Sequence, residues 1–245
     1  MDQPSPGPAR TLCIDIGGSH LKAAIVGDDG SMAGNEARIV TPAVGGPEMM
    51  IDALAALVAP LGGFDRVSVG FPGAVRKGIV QTAPNISGEG WRNFPFQAAL
   101  QGRFGRPVRL ANDATVQGLG VIEGKGIECT VTFGTGMGFA LFDDGIPGPH
   151  LELSQHPARN RKTYDQYVGR AEHDRIGLKR WNRRVRRVIG QVRVLVNFDL
   201  LYIGGGNARH IGFVLPPDVR IVSNASGITG GIRLWQPRLE AAFAG

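Results

Sequence analysis

Asp15, Gly17, Gly18, Ser19 and Lys22 stand close together in the segment CIDIGGSHLKAAIVGDDG, residues 13–30. A glycine turn between two apolar strands presents backbone N–H groups with no Cβ in the way, which suits an oxyanion such as phosphate. Asp15, two residues before the turn, is placed to hold Mg²⁺ or its waters against phosphate oxygens, because a hard cation takes oxygen ligands. Lys22, just beyond the turn, meets phosphate as a point charge. The other reading of Asp15 is a strand-end turn residue, but an acid between Ile14 and Ile16 is costly without a partner.

The same device recurs in TFGTGMGFALFDDG, residues 132–145, with Gly134, Thr135, Gly136 and Gly138 in place of the first set. Each copy runs strand, glycine turn with a hydroxyl residue, strand, then Asp-Asp-Gly, and the second is two residues shorter. FGTGMG is not a dinucleotide fingerprint: its spacing is G-x-G-x-G, and a strand follows where that motif requires a helix. Two matching turns half a chain apart imply two lobes that grip one phosphoryl donor from opposite sides. Asp113 follows the short strand PVRLA (107–111) and opens a helix, so it is either an N-terminal cap or a carboxylate at the mouth of the cleft. In the second role it accepts the proton of an attacking hydroxyl, with Asn112 bonded to a neighbouring hydroxyl.

The elements that must position these residues are legible from pattern. TLCIDI (11–16) and LKAAIV (21–26) read as a buried hairpin, RVSVGF (66–71) as a strand delivered into Pro72-Gly73, and GIVQT (78–82) as another strand. Pro47 opens a helix ended by Pro60 and Gly62-Gly63, and Asn112-Asp113 caps one running towards Ile122. Strands return at 129–133, 138–142, 200–206 and 219–223, the last two each followed by a helix. This is an α/β protein of two similar lobes, divided near residue 111. The first lobe takes residues 1–111, the second 112–231, and a helix over 232–245 packs back on the first.

The longest helical stretch spans 163–197 with a break near Arg170–Arg175, and Leu178, Trp181, Val185, Val188, Ile189, Val192, Leu195 and Val196 share one face. Between Arg175 and Arg193 lie eight basic residues and no acid, and without them the chain, at net charge +6, would be slightly acidic. That face is either solvated or a cationic rail for a polyanion. With 42% hydrophobic and 20% charged residues the composition is that of a soluble globular protein. The Pro-rich first ten residues are no secretory signal, no apolar run is long enough to span a membrane, and two cysteines make neither a disulfide framework nor a zinc site unaided. We expect a cytoplasmic protein with reduced, buried Cys13 and Cys129.

Taken in order, LCIDIGGSHLKAAIV, GFPGAV (70–75), ANDA (111–114), TFGTGMGFALFDDG, LEL (151–153) and LYIGGGN (201–207) resemble the ROK family of sugar kinases, nearest its short, polyphosphate-glucokinase-like branch, over nearly the whole chain. The resemblance implies the two-lobed, ribonuclease-H-like architecture shared with hexokinase and actin, and phosphorylation of a hexose, usually glucose at its 6-hydroxyl. It makes Asp113 the catalytic base and the two glycine turns the phosphate motifs. Gly204, Gly205 and Gly206 resemble the segment near the nucleoside, and Gly73, Asn85, Asn112 and Glu152 sit where sugar contacts are expected. Many members read Glu-Leu-Gly-His, whereas this chain reads Glu152-Leu153-Ser154-Gln155, with His156 one step later as either a sugar contact or an exposed loop histidine. RNRKTYDQYVG stands where many members carry a Cys-rich zinc loop, which implies a member without zinc.

The resemblance thus implies Mg²⁺ as cofactor, polyphosphate or ATP as donor, a homodimer, and neither DNA nor membrane as partner. A winged helix like that of the family's repressors has no room before the first strand. A catalytically silent sugar sensor is the alternative, against which Asp15, Asp113 and both turns argue, since catalysis alone needs them.

Overall fold

The computed structural model describes residues 9–223 and 226–243. β1 (Thr11–Ile16) and β2 (His20–Val26) form the first hairpin, and β3 (Ala37–Val40) pairs antiparallel with the outer edge of β2. The chain crosses through α1 (Pro47–Val58) to β4 (Arg66–Phe71), which lies parallel to β1 on its other side. A small hairpin of β5 (Val75–Arg76) and β6 (Ile79–Val80) follows, then α2 (Phe96–Phe104) and β7 (Val108–Asn112), parallel to β4. The sheet order is β3-β2-β1-β4-β7. Pro47 at the start of α1 sacrifices no helical hydrogen bond, and Met50, Ile51, Leu54, Leu57 and Val58 bury one stripe of the helix in the same core as this sheet.

α3 (Asp113–Leu119) leads to β8 (Ile127–Phe133), β9 (Met137–Asp143) and β10 (Ile146–Pro147). After a small hairpin of β11 (Pro157–Arg159) and β12 (Lys162–Thr163) come α4 (Tyr164–Val168), α5 (Arg170–Ile176), α6 (Leu178–Val196), β13 (Leu200–Gly204) and β14 (Val219–Ile221). The second sheet runs β10-β9-β8-β13-β14. Strand for strand this is the order of the first, with β8 in the place of β1 and β9 in the place of β2. The glycine turns, Gly17–Ser19 and Gly134–Gly136, are equal in length. The two-residue difference lies at the far end of the hairpins, where Asp144 and Gly145 turn tightly at positive φ.

Several elements are shorter than their patterns suggest. Of GIVQT only Ile79–Val80 is strand, and α3 stops at Leu119 rather than near Ile122. A 3-10 turn, Ala208–His210, replaces a helix after β13, and β14 is followed by the brief α7 (Ser226–Thr229). The 163–197 region breaks at Gly169 and Gly177, on either side of α5 rather than within it, and Gly177 takes φ +74. On α6 Trp181, Val185, Val188, Ile189 and Val192 are buried, whereas Leu178 and Leu195 at its ends are exposed. Trp181 is the anchor: its Nε1 donates to Val168 O at 2.8 Å and its ring meets Phe133 of β8 edge-on at 5.7 Å.

The C-terminal segment forms 3-10 turns at Gly230–Trp235 and Pro237–Leu239 and the short α8 (Glu240–Phe243), not one helix over 232–245, of which 244–245 lie outside the described residues. It lies against the first sheet. Ser68 Oγ donates to Gly231 O at 2.8 Å, Trp235 Nε1 donates to Ser68 Oγ at 2.8 Å, and Arg109 Nη1 donates to Leu234 O at 2.5 Å.

Candidate active site

Between the two sheets lies a cleft of about 620 Å³. Its walls contain Asp15, Gly17, Gly18, Ser19 and Lys22 from the first turn and Gly134, Thr135, Gly136 and Gly138 from the second. Gly73, Asn85, Asn112, Asp113, Glu152, Gly205 and Gly206 line it as well. The two turns face each other, with Ser19 Oγ 3.3 Å from Thr135 Oγ1. Two further side-chain contacts cross the cleft: Thr82 Oγ1 donates to Glu152 Oε2 at 2.9 Å, and Asn85 Nδ2 donates to Asp165 Oδ2 at 3.3 Å.

The first turn is closed by Gly17 N–H donating to His20 O at 3.0 Å, and held from β3's side by Thr41 Oγ1 donating to Gly17 O at 2.6 Å. Strand register then sets a charged row. Asp15 stands opposite Lys22, and Lys22 opposite Arg38. Lys22 Nζ is 3.7 Å from Asp15 Oδ2, and both side chains keep about a quarter of their surface open to the cleft. Burial pushes the Asp15 carboxyl up, Lys22 opposes that shift, and Glu36 adds to it.

Asp113 is the first residue of α3, immediately after β7. Burial raises its carboxyl to about 7; the charges of Asp15 and Glu152 add to this, while the Ala114 N–H at 2.8 Å and His150 oppose it. A carboxylate in that range is suited to take a proton near neutrality. Asn112 lines the cleft too, but its amide is committed. Oδ1 caps α3 by accepting from Ala114 N and Thr115 N, and Nδ2 donates to Phe71 O and Gly73 O. Asn112 therefore fixes the strand-to-helix corner that aims Asp113. Gly73 is held in this corner with Thr82 O where a Cβ would stand.

Glu152 behaves oppositely to Asp113. Burial works against its charge, but hydrogen bonds from His150, Ser154 and Thr82 outweigh it and hold the carboxyl down at about 2. Ser154 Oγ donates to Oε1 at 2.5 Å, and His150 Nε2 lies 3.5 Å from Oε2. The cleft thus holds one acid tuned to take a proton and one tuned to remain ionised.

Two candidates fall outside the cleft. His156 is exposed and faces a separate groove; its ring centroid is 6.4 Å from that of Tyr164. Of the histidines flanking Glu152, it is His150, two residues before it, that lines the cleft. Gly204 packs on the Gln117 side chain behind the wall, whereas Gly205 takes φ +83 against the Phe133 backbone, where no Cβ fits.

Asp165 carries no motif and was not foreseen. Its Oδ1 accepts from Met137 N at 2.6 Å, and its Oδ2 accepts from Asn85 Nδ2 and from Gln155 Nε2 at 2.9 Å. One carboxylate thus ties the second turn to the loop bearing Asn85 and to the segment after Glu152. Gly136 is required beside it, since a Cβ would overlap that carboxylate. A sequence signal was available: Thr163 and Gln166 form a capping box at the start of α4, which places Asp165 in its first turn.

None of the eight basic residues between Arg175 and Arg193 lines the cleft. The fold brings acids to them from outside the stretch: Glu172 accepts from Arg175 and Arg184, and Asp218 from Arg193. Arg183, Arg186 and Arg187 line a neighbouring groove that also touches His150, Leu151 and Glu152.

Residues 11–148 match the ROK family. The polyphosphate glucokinase of Mycobacterium leprae is 29% identical over 240 residues, covering 90% of this chain and 73% of that protein. The inorganic polyphosphate/ATP-glucomannokinase of Arthrobacter sp. strain KM superposes with a TM-score of 0.82 at 30% identity, covering 91% of this chain and 97% of that one. The ROK glucokinase of Streptomyces griseus, solved with glucose and AMPPNP, shares the fold with a TM-score of 0.75 at 20% identity, over 92% of this chain and 98% of that one. A family match across more than half the chain and a solved relative alike along nine-tenths of it agree: this chain belongs to the ROK family.

Proposed function

We propose that this chain is a hexose kinase that transfers a phosphoryl group from polyphosphate or ATP to the 6-hydroxyl of glucose or a similar hexose. The observation that carries the reading is Asp113, an acid raised to about 7 at the wall of a cleft whose opposite faces bring Ser19 and Thr135 to 3.3 Å. In this reading both turns hold the donor's terminal phosphates by backbone N–H groups, with Lys22 as counter-charge. Glu152, kept ionised, accepts hydrogen bonds from sugar hydroxyls, and Asn85, Gly73 and His150 frame the same end of the cleft. Asp113 takes the proton of the attacking hydroxyl as the new phosphorus–oxygen bond forms. Positioning and charge neutralisation supply most of the acceleration.

The residues fit Mg²⁺ held mainly by phosphate oxygens and water. Asp15 offers one carboxylate, Asp113 adds negative charge nearby, and among the described residues no cluster of three His, Cys, Asp or Glu forms a cage of its own. When bound, the ion offsets charge on the donor's phosphates. The lobes divide near residue 111, at the end of β7 just before α3, and they close over the sugar. No helix among the described residues is long and apolar enough to cross a membrane, and Cys13 and Cys129 are buried and unpaired, which fits the cytoplasm. Exposed Val194 and Leu195 offer an apolar surface for a homodimer.

The test is direct. Purified protein is incubated with glucose and either ATP or long-chain polyphosphate, and glucose 6-phosphate is measured by a coupled dehydrogenase. Failure to phosphorylate glucose or mannose with either donor, in the presence of Mg²⁺, removes the reading.

A further inference from the structure

The cleft changes character from one end to the other. At Asp113, Glu152 and His150 it is lined by hydrogen-bonding acids and an imidazole. Beyond the second turn it is lined by Arg170, Gly205, Gly206 and Arg209, with Arg38 on the facing lobe. Among the described residues lining it there is no Trp or Tyr, and the one Phe, Phe139, is 3% exposed. A nucleoside is recognised by stacking and by apolar walls, whereas an extended polyanion is recognised by guanidinium forks in a row.

Both arginines are fixed to the turn that holds the phosphates. Arg170 opens α5, and its N–H donates to Gly134 O at 3.0 Å and Thr135 O at 3.2 Å. Arg209 follows the Gly204–Gly206 bend, which Asn207 pins to the same turn: its N–H donates to Phe133 O at 2.9 Å and its Nδ2 to Gly134 O at 3.3 Å. Arg209 Nε donates to His210 Nε2 at 3.2 Å. The His210 ring stacks on His173 at 4.8 Å, and its carbonyl accepts from Asn182 Nδ2 of α6 at 2.9 Å. Burial, His173 and Arg209 all push the His210 pKa down, keeping it the neutral acceptor this contact needs.

Resting on the kinase reading, we propose that Arg170 and Arg209 form the subsite for the part of the donor left behind after transfer, and that it is shaped for a linear polyphosphate chain rather than a base and ribose. In the step, the bond between the terminal phosphorus and its bridging oxygen breaks, and the sugar oxygen bonds to that phosphorus. The sugar's proton passes to Asp113. The shortened chain keeps the bonding electrons as charge on its new terminal oxygen, and the two guanidiniums hold the phosphates further along that chain, where ATP carries its ribose and base instead.

The test compares kcat/KM for long-chain sodium polyphosphate and for ATP, both with glucose, in the wild type, Arg170→Gln, Arg209→Gln and the groove control Arg183→Gln. Each cleft variant is expected to lose about 10- to 100-fold with polyphosphate, as one charge-assisted contact is lost, and less than 3-fold with ATP. Its salt dependence with polyphosphate becomes shallower, by analogy with counterion release. Arg183→Gln leaves both donors unchanged. Equal losses with both donors, no loss with polyphosphate, or a wild type that uses ATP alone overturns the proposal while leaving the kinase reading standing. A wild type that phosphorylates glucose with neither donor overturns both.

Discussion

Ser19 Oγ and Thr135 Oγ1 lie 3.3 Å apart, at the tips of equivalent turns in two sheets of the same strand order. Because in the proposed reading the backbone N–H groups of the turns grip the donor while the hydroxyls meet each other, removing a hydroxyl should weaken donor binding without dismantling the site. Ser19→Ala and Thr135→Ala are each expected to lower kcat/KM for the donor about 3- to 10-fold, the worth of one neutral hydrogen bond. The double variant should lose less than the product of the two, since each single change already frees the partner. Strict multiplicativity in steady-state kinetics would show that the hydroxyls act separately.

Asp113→Asn keeps the shape of the corner and removes the proton acceptor. We expect kcat to fall about 10²- to 10⁴-fold while glucose affinity, measured by calorimetry, changes by less than a few-fold. In the wild type Asp113 must be ionised to accept a proton, and its pKa is raised to about 7. Log kcat/KM for glucose should therefore fall with slope one as pH drops below about 7 and level off above it. The variant's residual activity should lack that limb.

Asp165 accepts three hydrogen bonds, and Asp165→Asn turns one of its acceptors into a donor facing the Asn85 and Gln155 amides. The conservative change should therefore cost nearly as much as Asp165→Ala. We expect KM for glucose to rise about tenfold or more and kcat to fall with it, since both the sugar loop and the second turn lose their tie. A variant with wild-type kinetics for both substrates would show the clasp to be idle.

Glu172 is buried beside Lys162, Arg175 and Arg184, whose hydrogen bonds, Arg175 first, outweigh burial and hold its carboxyl far below the ordinary value of 4.5. Glu172→Gln leaves three partly solvated cations without their acid and should destabilise the protein by about 1–2 kcal/mol, read as a lowered Tm. The folded-state pKa is depressed, so this stabilisation is complete above 4.5 and is lost as pH falls below it. The gap in Tm between wild type and variant should narrow from pH 7 towards pH 3.

Much was written in the chain itself. The two hairpins followed from alternation and glycine placement, because strand pairing across a short turn is a local event. The acid of the first strand, the helix opened at Asp113 and the buried stripe around Trp181 followed likewise from period and capping. What local pattern misjudged were the ends of elements: Leu178 and Leu195 fit the apolar face of α6 but overrun the core beneath it.

The assembly of the site was decided only by tertiary structure. Asp165 finds Met137, Asn85 and Gln155 from three distant segments, and no periodicity links them. His150 rather than His156 enters the cleft because the 3-10 turn Leu153–Gln155 carries His156 away from the segment that bears Glu152 and into the neighbouring groove. The arginine-rich helix reads as an unopposed cationic run, yet Glu172 and Asp218 neutralise part of it and its groove is not the cleft, whose own cations, Lys22, Arg38, Arg170 and Arg209, come from four other elements. Charge and hydrogen bonding act through space, so their partners are settled only when the two sheets take their places.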